Sequence, residues 1–108
     1  MTKVTHPDLG QEVRTFGGYF IPREEGLLDY GKRHVFYIMG RAVIETSCCG
    51  SSAWMYVQVP GFARDEDGAA VRDPSGVAEV DPITEDEDRR NITSLLLQKH
   101  PGARVEIW

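Results

Sequence analysis

Long apolar runs are the most obvious thing missing from this chain. The longest is Val35–Gly40, far short of the roughly 20 consecutive apolar residues that cross a bilayer as a helix. The opening Met1-Thr-Lys-Val-Thr-His-Pro has no apolar signal core. Both absences argue against a membrane protein and lead to the expectation of a soluble, cytoplasmic one. In that setting Asn91-Ile92-Thr93, which matches a glycosylation acceptor, is a chance match.

Basic clusters are also missing. Seventeen acidic residues outweigh twelve basic ones, giving a formal net charge of −5. The only adjacent basic pairs are Lys32-Arg33 and Arg89-Arg90. A chain that repels phosphate and gathers no Lys/Arg stripe lacks the footprint of a nucleic-acid binder. Phosphate loops are absent as well. Gly17-Gly18 is followed by no Gly-Lys-Ser/Thr and belongs to no Gly-x-Gly-x-x-Gly pattern.

Cysteine is scarce, and its placement is unusual. The two cysteines are neighbours, Cys48-Cys49, followed by Gly50-Ser51-Ser52. Without a secretion signal they are expected to be reduced thiols. Adjacent thiols in a turn could hold a soft metal, close a strained disulfide as a redox switch, or supply a nucleophile. Tetrahedral zinc wants four ligands, and the chain adds only the scattered His6, His34 and His100. His34 is the one strand-borne candidate for a base. Cys48-Cys49-Gly50 is similar to the Cys-Cys-Gly of iron–sulfur subunits in heterodisulfide-reductase-like enzymes. That motif needs further distant cysteines, which are absent, so the similarity is set aside. Asp65-Glu66-Asp67-Gly68 resembles a piece of a calcium loop, but Pro74 stands where the loop's distant Glu belongs. A solvated acidic turn is the simpler reading.

What the chain does contain is enough for one core. Its 108 residues are 41% hydrophobic and 27% charged, ordinary values for a single globular domain spanning 1–108. Residues 1–11 read as a loose lead-in. Glu12–Ile21 has strand composition interrupted by Gly17-Gly18, a hairpin turn or a close backbone approach. Pro22–Gly31 reads as a long connection with a Leu27-Leu28 plug. Arg33–Ser47 is the strongest strand signal, being nearly all β-branched or aromatic. Phe36, Ile38, Ala42 and Ile44 line one of its faces, and Val35, Tyr37, Met39 and Val43 line the other with Arg41 and Glu45. Ala53–Pro60 follows as an antiparallel partner across the cysteine turn, and residues 62–80 read as an exposed excursion.

Thr84-Glu-Asp-Glu has the form of a capping box, and the acidic run Glu79–Asp88 suits a helix N-terminus. A helix over about 84–99 is predicted, with Ile92, Leu95 and Leu96 as its apolar stripe and His100-Pro101-Gly102 as its stop. A final strand is predicted at about 103–108. The whole is an α+β fold: a mostly antiparallel sheet of about four to six strands with the helix on one face.

One helix covers one face, so the second aromatic-bearing face is expected to meet something else. The primary expectation is therefore a non-catalytic interaction or assembly module, a homodimer through Tyr37, Trp54, Tyr56 and Trp108. The alternatives are a thiol-based metal-binding or redox-sensing protein using Cys48-Cys49, with a thiolate-bound metal as its cofactor, and a small cysteine-dependent enzyme.

Overall fold

In the computed structural model the described residues are 13–15, 18–46, 50–64, 71, 74 and 79–107. They form one six-stranded sheet and one helix, in the order β1 (Val13–Thr15), β2 (Gly18–Tyr30), β3 (Arg33–Thr46), β4 (Gly50–Ala63), β5 (Val80–Asp81), α1 (Asp86–Lys99) and β6 (Arg104–Ile107). The class is α+β, as the residue pattern predicts. Among the described residues, no helix is long and apolar enough to cross a membrane.

Strands β1 to β4 form an antiparallel meander, and β5 continues it. Two strands are longer than the sequence suggests. The stretch read as a connection, Pro22–Gly31, is instead the greater part of β2, paired with β3 from Gly18↔Ile44 to Tyr30↔Arg33. Its proline is tolerated for a local reason. Among the described residues β1 pairs as far as Phe20, so no described strand asks Pro22 for an N–H on that side. The register then slips between Pro22 and Glu24, a bulge that makes Arg23 the extra residue. β2 and β3 are joined by Gly31-Lys32, and Gly31 sits at φ 62°, the left-handed conformation that a two-residue hairpin demands.

Strand β4 likewise runs through Pro60-Gly61 to Ala63. A second register slip falls between Phe36 and Ile38 of β3, opposite Val59-Pro60. The outer edge of β4 also changes partner there. Tyr56–Val59 pair in parallel with β6, and Phe62-Ala63 pair with β5. Among the described residues Pro60 thus occupies the gap between the two partners, where no donor is required. The ends of the anticipated 62–80 excursion, Phe62-Ala63 and Val80, are sheet residues, and most of what lies between them falls outside the described residues.

Each bulge reverses which alternate residues face which side, and the two apolar clusters follow that reversal. One cluster, Val35, Tyr37, Val57, Val59 and Phe62, lies beneath α1 and takes in Ile92 and Leu96 from the helix and Ile83 from the segment before it. The other, Phe20, Phe36, Ile38, Ala42, Tyr56 and Val80, draws on β2, β3, β4 and β5 together, so the sheet curls around it. These residues are buried within the single chain, Tyr37 and Tyr56 among them.

The helix begins later than predicted. Its N-cap is Glu85 rather than Thr84, and no side chain caps it. Ile83 is buried beneath the helix, which holds the approaching chain extended. Arg89 then ties the first turn back, its Nε donating to the Ile83 carbonyl at 3.2 Å. The C-terminus ends as predicted, the His100 N–H donating to the Leu96 carbonyl at 2.8 Å and Gly102 turning the chain at φ 85°.

Candidate functional site

Helix α1 does not cover the whole face on which it lies. Val57 and Val59 of β4 are beneath it, but the same face continues past Val57 to Met55 and Ala53. Met55 pairs with Arg41, Val57 with Met39, and Met39 with Glu24 of β2. Beyond the helix these residues leave a cleft of about 470 Å³ lined by Arg23, Glu24, Met39, Gly40, Arg41, Ala53, Trp54 and Met55. Met55, at 46% exposure, is the most exposed of the large apolar side chains described. The lining is mainly apolar, with charge supplied by two arginines and one glutamate.

The described ion pairs lie elsewhere. Arg33 and Arg64 both reach Asp81, at 3.6 and 3.5 Å, and Arg64 also reaches Glu79. Among the described residues, neither Arg23 nor Arg41 engages a carboxylate.

A second polar cluster lies on the curled face, where β6 meets β4. The Tyr56 hydroxyl donates to Glu106 Oε2 at 2.5 Å, and the Phe20 ring meets the Tyr56 ring edge-on at 5.2 Å. Burial raises the Tyr56 pKa far above its ordinary 10.0, and the hydrogen bond to Glu106 and that carboxylate's charge add to the effect; Gln58 and Arg104 oppose it. A phenol held protonated in the folded state stabilises the fold below pH 10 and loses that contribution as pH rises beyond it. Thermal denaturation measured from pH 9 upward is therefore expected to show a steeper alkaline loss in the parent than in Tyr56→Phe. Parallel slopes would show that Tyr56 is not the group responsible.

The residues singled out in the sequence are dispersed. Tyr37 is buried under the helix, its ring edge-on to His100 at 6.1 Å. Tyr56 is in the other cluster, and both have spent their surface inside the chain. Trp54 is half-buried against that same cluster, with the Arg104 guanidinium 5.9 Å from its ring centroid. Trp108 and the Cys48-Cys49 pair lie outside the described residues. His34 pairs with Asp29 at 2.9 Å at the Gly31 hairpin. That is the end of β3 opposite Thr46, roughly 40 Å along the strand. Among the described residues, no three His, Cys, Asp or Glu side chains are grouped to hold a metal ion.

The cleft residues Arg23, Met39 and Met55 were not visible as a group. The available signal was Arg41 interrupting an otherwise apolar face of β3, at the place where the cleft lies.

The chain matches no family model, no curated protein and no solved structure. Its chemistry has to be argued from its own residues.

Proposed function

We propose that the chain is a non-catalytic interaction module that docks a partner in the cleft floored by Met39, Ala53 and Met55. The observation that carries this reading is the mismatch between helix and sheet. Two methionines and an alanine adjoin one another on a concave surface at the point where the helix stops covering the face. Single exposed apolar residues are ordinary, but contiguous ones in a hollow mark contact surfaces. Methionine suits such a role, because its unbranched, polarisable side chain repacks around different partners. Of the aromatic anchors expected from sequence, Trp54 lines the edge of this cleft. A second copy of the chain, forming a homodimer, is one occupant compatible with this reading.

The test is a selection of random peptides displayed on phage, with Met55→Asp as the counter-screen. Met55 is exposed, so the variant is expected to fold. Selected sequences are expected to bind it at least about tenfold more weakly than the parent, since a charge then sits in the apolar floor. Recovery only of sequences that bind the two proteins equally would refute docking at this cleft.

A further inference from the structure

We infer that the occupant of this cleft is an acidic, apolar peptide segment; the inference rests on the docking reading above. The charge of the cleft runs against the charge of the chain. Overall the protein carries a formal −5, yet the lining holds Arg23 and Arg41 against Glu24, a net positive rim around an apolar floor. Arg33 and Arg64 are engaged by Asp81, whereas among the described residues Arg23 and Arg41 form no ion pair. A guanidinium presents a planar fork of donors that a carboxylate accepts in pairs. Two such forks beside Met39 and Met55 fit a segment that alternates acidic and apolar side chains. Glu24 sharpens the choice, because it confines an incoming carboxylate to the arginine side.

The shape favours a peptide over a small acid. Arg23, Glu24, Arg41, Ala53 and Met55 are all exposed, so the cleft is open along its rim. Tight small-molecule sites enclose roughly 70–90% of their ligand, which an open hollow cannot do. A peptide gains its contacts by extending across the lining instead.

The experiment uses three fluorescent peptides in which leucine alternates with glutamate, glutamine or lysine. Binding is read by anisotropy and located by the methyl signals of ¹³C-labelled methionine, of which the chain has three. At low salt the glutamate peptide is expected to bind about tenfold tighter than the lysine peptide, with the gap narrowing as salt screens exposed charges. The double variant Arg23→Glu/Arg41→Glu should reverse the order; both positions are exposed, so its fold is expected to survive. If all three peptides shift the Met39 and Met55 methyls with equal affinity, or if the preference survives charge reversal, the acidic reading is wrong and docking stands. If none shifts those methyls, docking falls with it. The chain has its own exposed acids at Glu85, Asp86 and Glu87, so peptide-free protein belongs in the same series by sedimentation. A dimer there that Met55→Asp dissociates would give the cleft to a second copy and overturn the peptide assignment.

Discussion

Replacing Gly40 with alanine is expected to destabilise the protein by about 3 kcal/mol, at the upper end of the overpacking range. A Cβ at that position would stand 2.3 Å from the Ile21 carbonyl oxygen and 2.6 Å from Cε1 of Phe20. The oxygen belongs to the neighbouring strand, where Pro22 pairs with Gly40, so only separating β2 from β3 relieves it. The ring lies across the space that a side chain would fill, and this lets Phe20 of β2 reach Tyr56 of β4 over the top of β3. Both contacts are removed if the strands part. For a domain of this size the loss corresponds to roughly 15 °C in Tm. Gly31→Ala is the control: nothing lies within 4 Å of its Cβ position, so only its positive φ is strained, at about 1 kcal/mol. Chemical denaturation of both variants separates the two causes. The argument fails if Gly40→Ala is no worse than Gly31→Ala. Adding Phe20→Leu to Gly40→Ala should recover little, because the carbonyl contact remains.

Gly40 also shows how far the sequence could be read. A glycine inside a run of β-branched and aromatic residues marks a bend or bulge, and the bulge lies opposite it, at Arg23 on β2. The alternation of β3 and the stripe of α1 were legible because each depends on one strand or one helix acting alone. The long strands were harder to see. Pro22 and Pro60 looked like terminators, since a proline in a central strand removes a ladder bond. Each is tolerated because of something far away in sequence. Among the described residues β1 pairs no further than Phe20, and β4 changes partner from β6 to β5 beside Pro60. The same nonlocality hid the cleft. Met39 and Met55 become neighbours of an uncovered surface only once the length of α1 and its seat over Val57 and Val59 are known. The capping box misled for a comparable reason: the burial of Ile83 sets where the helix starts, and local capping chemistry does not override it.

Gln58→Met is expected to raise stability by about 1–2 kcal/mol, one of the rarer substitutions in a sheet interior that should help. Gln58 is fully buried, yet among the described residues neither its Nε2 nor its Oε1 meets a partner in hydrogen-bonding geometry. Two stripped amide groups cost free energy in an apolar setting, where one unsatisfied group alone costs about 1–3 kcal/mol. Methionine has nearly the same length and fills the same space between Ile38 and the β6 strand without polar atoms to strand. One neighbour argues the other way. Gln58 is among the groups that hold the Tyr56 pKa down, so its amide lies near the phenol, whose hydroxyl proton is already given to Glu106. If the amide supports that phenol, Gln58→Met will cost about 1 kcal/mol, and the Tyr56 pKa will rise further. The sign of the change in urea midpoint therefore decides between an orphaned amide and the second donor of a Tyr56–Glu106 network. A stabilised Gln58→Met variant would mean that the buried amide serves something other than stability, because an unsatisfied polar group in a core otherwise only costs free energy.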